Sequence, residues 1–232
     1  VLDGGGVTRI MLVAGTSGNL VINDVTFQNG YISDIAQVNE DGNGAYGGAL
    51  FLHAVANSVV INDSRFLNNS VRNDDGGTTP ENPSGGAIYF YAGSYLEINR
   101  SYFENNSVNS TSTDSAMNLY GGAIGTYAST NPKAVTVNNS TFNGNQASIG
   151  AAISVLLGSS LLVQQSTFYL NDGGSTLDVS TSGARIFNST FVKNVTGIDI
   201  AAVAHATLSG NLFYRASGVS CFDSGSLYGA TS

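Results

Sequence analysis

Seven phenylalanines, Phe27, Phe66, Phe103, Phe142, Phe168, Phe191 and Phe213, hold matching places in one repeated motif. Such repetition restricts a chain to architectures in which each unit stacks on the next, because one unit alone cannot bury its apolar face. Five and seven residues before each Phe the chain is apolar: Leu20 and Ile22, Val59 and Ile61, Leu96 and Ile98, Val135 and Val137, Leu161 and Val163, Ala184 and Ile186, Ala206 and Leu208. Period-two spacing marks a strand with one inward face.

Two residues before Phe stands Ser64, Ser101, Ser140, Ser166 or Ser189. We read it on the same inward parity as the apolar pair and expect a serine ladder. Three residues after Phe comes Asn69, Asn106, Asn145, Asn171 or Asn194. Asparagine tolerates the left-handed region and bonds its own backbone at bends, so stacked copies should align into an asparagine ladder. A second strand opens with Gly47-Gly48-Ala49-Leu50, Gly85-Gly86-Ala87-Ile88, Gly121-Gly122-Ala123-Ile124 and the degenerate Gly150-Ala151-Ala152-Ile153. Paired glycines permit a tight bend and close approach of backbones.

Intervals between the phenylalanines are 39, 37, 39, 26, 23 and 22 residues. The bare coil is therefore about 22 residues, and the first three intervals carry insertions. A leucine-rich repeat of similar period would need a Leu pattern that is missing, and no segment holds helical apolar spacing over three turns. The expectation is an all-β, single-stranded, right-handed parallel β-helix with about three short strands per coil. Seven or eight coils at about 4.8 Å spacing would make a rod of about 35–40 Å.

The GGA[IL] and FxxN tetrapeptides alternating in one chain resemble the repeats of the polymorphic outer membrane proteins, secreted right-handed β-helices displayed on bacterial surfaces. The first is read at Gly47–Leu50, Gly85–Ile88 and Gly121–Ile124, the second at Phe66–Asn69, Phe103–Asn106, Phe142–Asn145, Phe168–Asn171 and Phe191–Asn194. The opening Asp3-Gly4-Gly5-Gly6 before Arg9-Ile10-Met11-Leu12-Val13 also resembles the first coil of the wider pectate-lyase-like superfamily. The first coil departs from the pattern, with Gly30 where Asn is expected, and no barrel domain is read within residues 1–232. The resemblance implies an extracellular or cell-surface location, and we expect residues 1–232 to be one β-helix domain from a longer protein.

Composition sets limits on partners. Charged residues are 10% of the chain and the net charge is −8, with 16 acids against 8 bases. Nucleic-acid binding requires a basic stripe, which is missing, and no apolar run is long enough for a transmembrane helix. Cys221 is the only cysteine, so no disulfide framework forms within the segment. Nine Asn-x-Ser/Thr sequons, at Asn62, Asn68, Asn99, Asn105, Asn109, Asn138, Asn139, Asn188 and Asn194, mostly coincide with the turns of the repeat itself. No Thr-x-Thr recurs at the coil period, which argues against an ice-binding face.

Function is expected where the repeat is interrupted. The insertions run roughly from Tyr31 to Tyr46, Val71 to Ser84 and Val108 to Tyr120, and leaving at the same phase they should emerge from one edge as a stack. They carry Asp34, Glu40, Asp41, Asp74, Asp75, Glu81 and Asp114, an oxygen-rich set able to hold Ca²⁺. Tyr89, Tyr91, Tyr95 and Tyr127 from adjacent coils are a candidate exposed aromatic stripe for carbohydrate.

Catalysis fits the residues less well. Lyases of the resembled superfamily use a basic residue beside acidic Ca²⁺ ligands, and of eight bases only Arg65 and Arg100 fall in corresponding turns, near Asp63, Glu97 and Glu104. Its polygalacturonases show an Asp-Asp pair, Gly-His-Gly and Arg-x-Lys. Asp74-Asp75 lies in an insertion, and neither His53 nor His205 is flanked by glycine. The sequence thus points to a non-catalytic adhesin or rigid spacer contacting a glycan or a host or neighbour-cell surface protein. A polysaccharide lyase or hydrolase and a carbohydrate-binding module are the alternatives.

Overall fold

Every strand pairing in the computed structural model is parallel and joins one coil to the next, giving a parallel β-helix. The structure describes residues 1–15, 18–33, 45–53, 58–74, 82–111, 118–126, 133–156, 158–180, 183–200, 206–214 and 222–224. Among the described residues four sheets run along it, of eight, eight, seven and five strands. A full coil carries four strands, as in Ile88–Phe90, Tyr95–Asn99, Tyr102–Glu104 and Ser107–Ser110.

Three strands per coil was the expectation, and a left-handed corner accounts for the difference. Ile61 and Ser64 both point inward although they stand an odd number of residues apart, so the two were not on one parity. The odd step is absorbed at Asp63, φ 51°, and at the matching Asp24, Arg100, Asn139, Gln165 and Asn188. That corner divides the repeat's second strand between two sheets. The fourth sheet begins after FxxN, with Tyr31–Ser33, Ser70–Asn73 and Ser107–Ser110. Residues assigned to the insertions thus start as strands.

The phenylalanines form one interior stack. Successive rings from Phe27 to Phe213 lie 4.7–5.0 Å apart, within 11° of parallel. Parallel in-register strands impose that spacing, and Leu50, Ile88, Ile124, Ile153 and Leu177 repeat it on the sheet entered through the glycines. A separate apolar cluster of Ile32, Val71, Val108, Ala147 and Ala45 seals the base of the insertions.

Both polar ladders are present. Ser101 Oγ donates to the Asn99 carbonyl at 2.9 Å and accepts the Ser64 amide at 3.2 Å, and Ser140, Ser166 and Ser189 repeat the pattern. Asn106 Oδ1 accepts both the amide and the Nδ2 of Asn69, while its own Nδ2 donates to Asn145 Oδ1 and the Phe66 carbonyl. Here the expectation is corrected in detail: the left-handed residue is the one before, Asn68 or Asn105, and the ladder Asn bonds the neighbouring coils rather than its own turn. Gly30 stands where the first ladder Asn would be because a Cβ there would lie 2.3 Å from the Gly48 carbonyl oxygen. Its amide still donates to Asn69 Oδ1 at 2.8 Å.

The glycine pairs divide their work. Gly85 takes φ +70°, and a Cβ on Gly86 would meet the Gly122 carbonyl oxygen at 2.1 Å. Turning belongs to the first glycine and stacking to the second.

Lys133 opens a strand at 3% exposure, in register with Ser159, and burial pushes its ammonium down to about 8.

Two outcomes follow from this core. Phe103→Ala should lower unfolding free energy by about 3–5 kcal/mol in denaturant titration, since neighbouring rings cannot close the gap. For Lys133 the folded pKa lies below the unfolded value. The cost of burying the charge is therefore complete below pH 8, and stability should rise by up to about 1.4 kcal/mol per pH unit from about 8 to 10.5. Subtracting the profile of Lys133→Met isolates this slope from other titrations.

Candidate functional site

On three of the sheets side chains alternate between interior and solvent, as in Tyr95–Asn99, whereas the sheet entered through the glycines buries both faces of its strands. Its outward column, read by register, is Leu12, Phe51, Tyr89, Gly125, Ser154 and Asp178. The column changes from aromatic to small to acidic along the rod, and the row Tyr46, Ser84, Tyr120 and Ile149 flanks it, each bridged to the next.

The aromatic end is packed. Tyr46 stacks on Tyr89 at 4.3 Å, and His53 stacks on Tyr91 at 5.1 Å with its edge toward Phe51. Arg9 donates to the carbonyls of Tyr46 and Gly47 at 3.0–3.2 Å and places its guanidinium 4.9 Å from the centre of the Phe51 ring. Arg9 thereby satisfies carbonyls at the first glycine pair.

At the middle a Cβ on Gly125 would lie 2.0 Å from Ser84 Oγ, so the column is pinched there. Past it the surface opens into a cavity of about 360 Å³ lined by Tyr120, Ser148, Ser175, Asp178, Ser180 and Thr196 among others. Asp178 is 6% exposed and accepts Ser154 Oγ at 2.7 Å, with Ser180 Oγ at 3.4 Å. Burial, and secondarily the negative charge of Asp178, raise the Tyr120 phenol above its ordinary value, while a hydrogen bond with Asn118 works in the opposite direction. Tyr120 is therefore a neutral hydroxyl at physiological pH.

The sequence-selected residues are distributed differently from the expectation. Tyr89 is 3% exposed, which removes it from an exposed stripe, because the outer face of its sheet is covered. Tyr91 is half-buried against His53, and Tyr95 belongs to another sheet. Asp74 sits at the base of the second insertion, paired with Arg72 at 2.6 Å and accepting Thr111 Oγ1 at 3.1 Å. Asp34, Glu40, Asp41, Asp75, Glu81, Asp114, Tyr127, His205 and Cys221 lie outside the described residues. Among the described residues no three His, Cys, Asp or Glu side chains converge as a metal site, so the Ca²⁺ expectation rests on residues outside that set.

The two arginines considered for lyase chemistry are engaged in surface contacts. Arg100 makes a two-pronged bond to Asp63 on the preceding coil, at 2.7 and 2.8 Å, which lowers the Asp63 carboxyl and raises the guanidinium. Arg65 lies over the Tyr102 ring at 5.4 Å.

Sequence reasoning missed Tyr120, Ser154 and Asp178 as a group. The available signal was the pair Ser154 and Asp178, each placed one residue after the inward aliphatic residue of its coil.

A family model described as "Right handed beta helix region" matches residues 81–231, about two thirds of the chain. No curated protein and no solved structure matches it.

The cavity geometry gives an expected titration. Asp178→Asn should lower the Tyr120 pKa but leave it above 10, because burial is the larger cause. Tyrosinate absorbance against pH, differenced against Tyr120→Phe, reads this.

Proposed function

Because the chain belongs to the right-handed β-helix family, we propose that it is a rigid extracellular rod that presents its insertions as an adhesive surface, without catalysing a reaction. The observation carrying this reading is that the insertions are rooted in register at both ends. They leave from Tyr31–Ser33, Ser70–Asn73 and Ser107–Ser110, which pair strand to strand, and return through Tyr46, Ser84 and Tyr120, which bridge one another. With the apolar cluster of Ile32, Val71, Val108 and Ala147 packed beside them, these ends form a fixed base along one edge. Loops held by a rigid scaffold are common recognition surfaces.

In its finer form the proposal is a single-stranded solenoid of seven or eight coils, of the polymorphic outer membrane protein type, secreted or displayed on a cell surface. Its partner would be a glycan or a surface protein of a host or neighbouring cell. The low charge of the chain suits a surface that binds through hydroxyl and amide groups. No helix among the described residues is long and apolar enough to cross a membrane.

The bare coils provide a test, because Ser148 and Ile149 alone connect Gln146–Ala147 to Gly150. Replacing each insertion by that short link should keep the fold by circular dichroism and weaken binding to cells or arrayed glycans at least about tenfold, ~1.4 kcal/mol. Undiminished binding, or cleavage of an arrayed polysaccharide by the parent protein, contradicts the proposal.

A further inference from the structure

We propose that the cavity between Tyr120 and Asp178 is a subsite for one residue of an uncharged glycan, and that it rejects chains containing uronate, sulfate or phosphate. This rests on the adhesive reading and gives it a ligand class. The cavity exists because the rod changes section at this point. The third insertion returns at Tyr120, while the next coils return through Ser148 and Ile149, then through Gly174 and Ser175. Tyr120, the residue at which the third insertion rejoins the ladder, lines one side of the recess. At about 360 Å³ the recess lies at the lower end of the roughly 300–1,000 Å³ range of ligand sites.

The lining states what fits. A sugar presents many hydroxyl donors and acceptors on one ring and a patch of C–H on its faces. The recess supplies hydroxyls at Ser148, Ser175, Ser180 and Thr196, a carboxylate acceptor at Asp178 and the half-buried Tyr120 ring. Asp178 is held by Ser154 at 2.7 Å, so the acceptor is fixed before a ligand arrives. Such preorganisation lowers the ordering cost of binding.

Charge decides the sugar class. Among the described residues no Lys or Arg lines the recess. An anionic sugar would meet the Asp178 carboxylate at close range, and the net charge of −8 adds to it.

The full chain should be titrated calorimetrically with neutral glucan, galactan and mannan oligosaccharides and with polygalacturonate and alginate oligosaccharides, each with and without Ca²⁺. The expected result is binding of one neutral series alone, independent of Ca²⁺, weakened about tenfold or more by Tyr120→Ala. Asp178→Asn should weaken the neutral ligand and narrow the preference over uronates. If either variant fails to fold, ligand titration of the parent protein must still shift the tyrosine absorbance difference between parent and Tyr120→Phe. Tighter binding of uronates than neutral chains, or binding that requires Ca²⁺, overturns the inference. Neutral-glycan binding indifferent to these substitutions but abolished by removing the insertions overturns this subsite and leaves the adhesive reading standing. Failure of every glycan, with cell adhesion intact, does the same.

Discussion

A buried amide side chain must find two donors and two acceptor partners without water, and in this chain the inner ladder residues Asn106, Asn145 and Asn171 find them in the coils before and after their own. Asn106 uses both Oδ1 lone pairs on Asn69 and both Nδ2 hydrogens on Asn145 and the Phe66 carbonyl. A buried polar group left unpaired costs about 1–3 kcal/mol, so a coil that slips in register loses its own bonds and orphans those of its neighbour. The Phe stack is non-directional and could tolerate sliding, whereas the amides cannot. The left-handed residues beside them, including Leu170 and Lys193 at φ 53°, are each held at a strain on the order of 1–3 kcal/mol that only such over-determined surroundings sustain.

From this register the proposed contact surface follows. If every coil is locked to the next, whatever leaves one coil at a given phase stands directly over its counterpart. The outgoing strands and returning bridges of the insertions are therefore aligned. Identical coils would give a featureless rod, and the features sit where coils differ: the covered aromatic end, the pinch at Gly125 and the recess beside Asp178. In each, one side chain in a repeating column has been exchanged for another of different size or charge.

The repeating parts of the structure were legible because equivalent positions occupy equivalent environments and so keep the same residue. Phe, Ser, Asn and the glycine pairs could be read that way, and Gly30 broke the pattern for a reason only backbone proximity reveals. The fourth sheet was missed because its strands are two to four residues long and largely polar, as in Ser107–Ser110, leaving no run of alternation to detect. The odd step between Ile61 and Ser64 did signal the corner at Asp63, and reading both on one parity concealed it. Tyr89 looked exposed because outward parity usually means solvent, but here Tyr46 covers it. The recess was least legible, since it arises from the difference between an inserted coil and a bare one.

Backbone amide exchange followed residue by residue tests the role of the ladder most directly. The amides of Asn69, Asn106, Asn145 and Asn171 lie in two-residue turns, where exchange is ordinarily fast, yet each donates to a buried side-chain Oδ1 at 2.9–3.1 Å. The account predicts that they exchange as slowly as the core amides of Leu96 and Val137, through global unfolding alone. Exchange at the rate of surface turns would show that the coils are held by apolar stacking and that the amides merely follow.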